Sequence, residues 1–255
     1  MYRDRTVSLI IPAYNEEETI GAVVEEFSTV PHLDEIVVVD NNCVDRTAEI
    51  AREKGARVVA ESKPGYGSAL MRGLSEAKGD ILVLTEADGS FAARDVEKLL
   101  IYLDDASMVM GTRTTRQMVE QGANMRFFLR WGNVAMAKII QIMWARPDEP
   151  RFTDVGCTFR ALSRDCFEQI KPLLHHPGPA FSPEMMCAAL IYRRRVIEIP
   201  ITYRPRAGGE SKHSDGFSRQ AKTAWMMFKA IMKKRFGHMR RPAELRDEPQ
   251  PVTGP

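Results

Sequence analysis

Cysteine is scarce in this chain of 255 residues, and its four copies, Cys43, Cys157, Cys166 and Cys187, show no metal-ligand spacing. That excludes a zinc finger or disulfide scaffold; isolated cysteines act as small buried hydrophobes, and a reduced, cytoplasmic setting is the default. Long apolar runs are also missing. The residues after Met1-Tyr2-Arg3-Asp4-Arg5 are too few for a signal segment, and no stretch approaches a membrane span. Charge of one sign is lacking too. With 36 Lys+Arg against 34 Asp+Glu the net charge is +2, which argues against nucleic-acid binding driven by overall charge. What is present, 44% hydrophobic and 27% charged residues, suffices for one sizeable core and an appendage.

Apolar runs rich in β-branched residues recur between helical patterns. Strands are predicted at Val7 to Ile11, Glu35 to Val39, Val58 to Ala60, Ile81 to Leu84, Met108 to Met110, Val155 to Leu162 and Val196 to Tyr203. Helices are predicted from Glu16 to Ser28, Asp45 to Lys54, the glycine turn at Gly65 to Ala77, Asp95 to Tyr102, Arg164 to Ile170 and Pro183 to Tyr192. Such alternation implies an α/β fold with a mostly parallel sheet and helices on both faces. The Met-rich stretch Asn124 to Trp144 reads either as core or as the wall of an apolar groove. Residues 1–216 form the predicted catalytic domain, 217–236 a C-terminal helix, and 237–255 a Pro-containing, disordered tail. The aperiodic segment from Arg206 to Gly216 reads as a mobile loop.

The chemistry concentrates in Thr85-Glu86-Ala87-Asp88-Gly89-Ser90, directly after the buried run Ile81 to Leu84. Two carboxylates at the end of a parallel strand point to the sheet edge where open α/β sheets bind ligands. Acidic oxygens without Cys or His suit Mg²⁺ or Mn²⁺, which complete their shell with water and nucleotide phosphates. A solvated turn is the alternative. Pro12, Ala13 and Tyr14 can line a slot for a nucleotide base, and Asp40 can accept from a base N–H or simply cap the following helix. Glu16 can be a ligand contact or a first-turn acid. In Gly65-Tyr66-Gly67 the glycines serve architecture or cradle phosphate.

Pro12-Ala13-Tyr14-Asn15-Glu16, Val39-Asp40-Asn41-Asn42, Gly65-Tyr66-Gly67, Glu86-Ala87-Asp88-Gly89, Gly111-Thr112-Arg113 and Gly156-Cys157-Thr158-Phe159-Arg160 follow one another in a familiar order. Together they resemble family 2 glycosyltransferases of the GT-A fold, and within these the dolichol-phosphate mannose synthase group of polyprenyl-phosphate sugar transferases. The resemblance spans roughly Val7 to Lys234. It implies a Rossmann-like sheet and an inverting transfer from a UDP- or GDP-sugar to a polyprenyl phosphate, without a covalent glycosyl-enzyme. It places the nucleotide against Pro12, Ala13, Tyr14, Glu16, Asp40, Asn42, Gly67, Glu86 and Ala87, and the metal on Asp88 with Glu86. Glu86 departs from the family's usual Asp, and Ser90 stands where relatives often carry Gln.

By the same resemblance Arg113 meets the acceptor phosphate; Arg126, Arg130 and Lys212 are candidate companions as further cations, apart from the resemblance. A phosphate monoester, with a second pKa of about 6, needs no protein base. A hydroxyl acceptor does need one, and Asp154 or Glu184 is then the candidate, Glu184 being favoured by family position. In the C-terminal helix Phe217, Ala221, Ala224, Trp225, Phe228 and Met232 recur at helical spacing among lysines and arginines with no acid. That pattern suits a membrane surface, or a helix packed on the catalytic domain. The implied location is peripheral, at the cytoplasmic face of a membrane, with a membrane partner protein or a homo-oligomer also compatible. Transfer to a soluble or protein acceptor, and nucleotide-sugar binding with impaired catalysis, are the alternative functions.

Overall fold

The computed structural model describes residues 1–121, 123, 127–144, 151–208 and 217–239. Alternation of apolar runs and amphipathic segments builds seven strands and eight α-helices among these residues. They are β1 (Val7–Ala13), α1 (Ile20–Ser28), β2 (Glu35–Asp40), α2 (Thr47–Glu53), β3 (Arg57–Ala60), α3 (Tyr66–Glu76), β4 (Ile81–Leu84) and α4 (Val96–Tyr102). There follow β5 (Met108–Thr112), α5 (Phe127–Met143), β6 (Arg160–Ser163), α6 (Arg164–Ile170), α7 (Phe181–Ile191), β7 (Val196–Pro200) and α8 (Phe217–Met239).

All seven strands join one sheet in the order β3-β2-β1-β4-β6-β5-β7. β6 runs antiparallel to both neighbours and the other pairings are parallel, so the sheet is mostly parallel as expected. Alternate residues of β1 go to opposite faces. Ile10 packs with Val39, Leu70, Leu74 and the buried α7, while Leu9 and Ile11 pack with Val24, Phe27 and Leu99. Each such side chain, fully removed from water, contributes roughly 1.5–3 kcal/mol. α3 lies directly on β1 because residue 73 is glycine. A Cβ there would stand 2.3 Å from Ile10 Cγ2.

From β1 the chain builds the sheet outward through β2 and β3 on one side, then crosses back to add β4 parallel to β1 on the other, so the strand order switches sides between β1 and β4. A crevice opens at their carboxyl ends, where such sheets take ligands. Three boundaries differ from the sequence expectation by three residues or more. α1 starts at Ile20, since residues 16–19 form a turn in which Thr19 and Ile20 N–H both donate to Glu16 O. The strand predicted from Val155 shrinks to β6, because Gly156 N–H turns back onto Asp154 Oδ1 at 3.2 Å. β7 stops at Pro200, beyond which Tyr203 makes only isolated bridges to Phe91 and Val119. Residues 209–216 and 240–255, which hold most of the predicted loop and tail, lie outside the described residues.

Candidate active site

At the crevice lies a cavity of about 510 Å³, walled by Pro12, Ala13, Tyr14 and Glu16 after β1, Asn41 and Asn42 after β2, and Pro64, Gly65, Tyr66 and Ala69 around the start of α3. Glu86, Ala87 and Asp88 close it from β4, Gly178 and Pro179 from the turn before α7, and Arg206 from the segment after β7. Of the nucleotide contacts expected from sequence, Pro12, Ala13, Tyr14, Glu16, Asn42, Glu86 and Ala87 thus share one wall system.

The acidic pair forms its deep end. β4 is buried throughout, and Gly89, at φ +72°, reverses the chain immediately after it. Asp88 is 3% exposed, and its Oδ1 accepts from Ser90 N–H at 3.0 Å. Its Oδ2 accepts no hydrogen bond, although Arg206 Nε is 3.0 Å away. Glu86 Oε1 accepts from Thr158 Oγ1 at 2.6 Å, and that hydroxyl is itself bonded to Tyr66 OH. Burial first, and then the charge of Asp88, pushes the Glu86 carboxyl up to about 7. Two crowded carboxylates, one with an unmet oxygen, are a fitting donor set for a hard divalent cation. No third His, Cys, Asp or Glu joins them among the described residues, so a cation held here would draw its remaining ligands from water or phosphate. Ser90 is fully buried, its Oγ makes no hydrogen bond, and it does not line the cavity.

Two expected nucleotide contacts are placed elsewhere. Asp40 Oδ1 accepts from Cys43 N–H at 2.8 Å, and the residue caps its own turn rather than lining the cavity. Gly67 N–H donates to Pro177 O at 2.7 Å, and a Cβ at Gly67 would meet His176 O at 2.1 Å. Gly67 therefore admits a neighbouring turn and is no phosphate cradle. Gly65, at φ +132°, does line the cavity, and a Cβ there would meet Pro177 O at 2.3 Å. Asn41, which the sequence reading quoted without a role, ties these loops together. Its Nδ2 donates to Glu61 O and Lys63 O, and its Oδ1 accepts from Gly65 N–H at 2.8 Å.

Both candidate bases are engaged in ion pairs. Arg113 grips Asp154 bidentately, Nε to Oδ2 at 2.8 Å and Nη2 to Oδ1 at 2.9 Å, with its backbone N–H on the same carboxylate. Burial would raise the Asp154 carboxyl, but the Arg113 charge and hydrogen bonds outweigh it and hold the group below its usual range. Glu184, expected as a base, is instead a buried brace. Its Oε2 accepts from His175 and His176 N–H at 2.9 and 2.8 Å, and its Oε1 pairs with Lys234 Nζ at 2.9 Å. Neither Asp154, Glu184 nor Arg113 lines the cavity. Arg130 is partly exposed on α5, whereas Arg126 and Lys212 lie outside the described residues.

Arg206 is the site residue that sequence reading missed, because the turn-rich segment around it carries no periodicity. Backbone hydrogen bonds pin that segment to the acidic turn, Arg204 N–H to Ser90 O at 2.8 Å and Ala207 N–H to Asp88 O at 3.0 Å.

Comparison with known proteins agrees with this geometry. Residues 8–171 match the profile of Glycosyl transferase family 2. An uncharacterized glycosyltransferase of Mycobacterium tuberculosis is 32% identical over 208 residues, covering 82% of this chain and 89% of the relative. The undecaprenyl-phosphate 4-deoxy-4-formamido-L-arabinose transferase of Edwardsiella ictaluri is 32% identical over 221 residues, covering 81% of this chain and 62% of that protein. Among solved structures, glucosyl-3-phosphoglycerate synthase from Mycobacterium tuberculosis, crystallised with Mn²⁺, UDP and glucosyl-3-phosphoglycerate, superposes with a TM-score of 0.70 at 20% identity. The superposition covers 91% of this chain and 81% of that one, and shows that the fold is GT-A.

Proposed function

The chain belongs to glycosyltransferase family 2, and from that premise we propose that it moves a sugar, with inversion, from a nucleotide-diphosphate sugar to a polyprenyl phosphate, dependent on Mg²⁺ or Mn²⁺. One observation carries the choice of acceptor. Both carboxylates that could have deprotonated a hydroxyl, Asp154 and Glu184, are committed to buried ion pairs. An acceptor that brings its own anionic nucleophile needs neither. A phosphate monoester does so near neutral pH, since its second pKa is about 6. The undecaprenyl-phosphate transferase among the relatives supports the same class.

In this reading the base and ribose lie along Pro12 to Tyr14 and Asn42, and the diphosphate points to Glu86 and Asp88. Those two carboxylates would hold the divalent cation, whose contribution is to neutralise charge growing on the leaving diphosphate. Arg113, oriented by Asp154, meets the acceptor phosphate, with Arg130 of α5 as a companion. Arg suits phosphate oxygens by its planar, multiply donating group. Among the described residues no helix is long and apolar enough to cross a membrane. A lipid acceptor is reached peripherally, through the exposed stripe of α8 that carries Lys222, Trp225, Lys229, Lys233 and Phe236.

The second reading is transfer to a soluble acceptor, favoured by the fold's likeness to glucosyl-3-phosphoglycerate synthase. A panel of UDP- and GDP-sugars with Mn²⁺ or Mg²⁺, offered polyprenyl phosphate in detergent or phosphoglycerate in buffer, separates the two. Glycolipid formed only with metal and lipid phosphate supports the proposal. Product from phosphoglycerate alone replaces it with the second reading.

A further inference from the structure

Arg206 reaches into the cavity from the segment after β7 and sets its Nε 3.0 Å from Asp88 Oδ2. The contact is an ion pair without a hydrogen bond, since that oxygen accepts none. Arg206 therefore balances the charge of the acidic pair and leaves the lone pairs of Oδ2 unmet. A guanidinium stays charged at every relevant pH, so it leaves the carboxylates only by moving. Its backbone is fixed beside them by Ala207 N–H on Asp88 O at 3.0 Å. Ala207 Cβ lies 3.3 Å from where a Cβ on Gly89 would stand, so a side chain at 89 would push the two turns a few tenths of an ångström apart. The side chain, about one third exposed, is free of such ties and faces the volume that a diphosphate would fill.

We propose that Arg206 is a tethered counter-ion holding the cation's place on Asp88, and that an entering nucleoside diphosphate draws it away, so that cation and nucleotide bind together. The proposal rests on the reading of Glu86 and Asp88 as cation ligands. Its consequence is unusual in sign: removing a cavity residue strengthens cation binding, because two carboxylates then face each other with no built-in positive charge. The diphosphate, conversely, loses a cationic partner.

Mn²⁺ binding to the full-length protein, measured by the electron paramagnetic resonance signal of free Mn²⁺, tests this without any turnover. In the absence of nucleotide, R206Q and R206M bind Mn²⁺ about tenfold more tightly than wild type, whereas R206K stays within about threefold. UDP or GDP tightens Mn²⁺ binding in wild type far more than in R206Q. Thermal melts establish that each variant is folded, and two neutral variants guard against the loss of one. If Mn²⁺ binds in the presence of UDP or GDP but R206Q and R206M gain nothing without it, the counter-ion proposal is overturned and the cation site stands. If no variant binds Mn²⁺ with or without nucleotide, the cation site itself is wrong and the proposal falls with it.

Discussion

At the scale of single residues, the pair Arg113 and Asp154 shows how a buried salt bridge sets both chemistry and stability. Asp154 is fully buried, and its carboxyl sits below the ordinary value of 3.8 because Arg113 overcomes the cost of burial. A carboxylate with a lowered folded pKa contributes stability that is complete above its unfolded pKa and is lost as pH falls through the folded one. Asp154→Asn leaves Arg113 buried without a counter-charge, a loss of roughly 3–5 kcal/mol at pH 7. In a protein of this size that lowers the midpoint by about 10 °C. The gap to wild type stays constant down to about pH 4 and narrows below it; a gap that widened in acid would contradict the assigned pairing. Sequence patterns could not show this, since the partners stand 41 positions apart.

At the scale of elements, α8 braces the cavity wall. Ile231 is buried in the core beside α7, and Lys234 Nζ reaches Glu184 and Leu173 O. The other oxygen of Glu184 holds His175 and His176, the start of the turn whose Gly178 and Pro179 line the cavity. Lys234→Met should therefore raise the donor KM about fivefold while the acceptor KM stays within twofold. Amide exchange at His175 and His176 should quicken in the same variant, and Lys234→Arg should restore both. Equal changes in the two KM values would leave only a general loss of stability. The sequence marked α8 as basic and amphipathic but gave Glu184 a catalytic role, because its partner lies 50 positions away on that helix. Asn41 and Thr158, which fasten the loops and Glu86, are small polar residues with no spacing signal. By contrast β1, β4, Gly65 and the Glu86 and Asp88 pair were legible, because each is a local pattern: a buried run followed by a turn.

At the scale of the whole molecule, the proposed function sets the nucleotide at the carboxyl edge of the sheet and a lipid acceptor against α8. On α8 Trp225 is 57% exposed and Phe236 53%, flanked by Lys222, Lys229 and Lys233 without an acid between them. Such a stripe binds anionic bilayers by shallow burial of aromatic rings and attraction to headgroups. Replacing Trp225 and Phe236 together by Ser should cut co-sedimentation with phosphatidylglycerol vesicles by about tenfold while the melting midpoint moves little. Unchanged co-sedimentation would remove α8 from the membrane contact and make the lipid reading depend on a partner.

The central claim is that the acceptor supplies its own anionic nucleophile, since the two candidate bases, Asp154 and Glu184, are held in ion pairs and Glu86 and Asp88 are assigned to the cation. The direct test presents the enzyme, its donor sugar and Mn²⁺ with two acceptors of one chain length in the same detergent, a polyprenyl phosphate and the corresponding polyprenol. The account predicts glycolipid from the phosphate and none from the alcohol. Transfer to the alcohol, or to neither acceptor while a soluble hydroxyl compound is glycosylated, would contradict it.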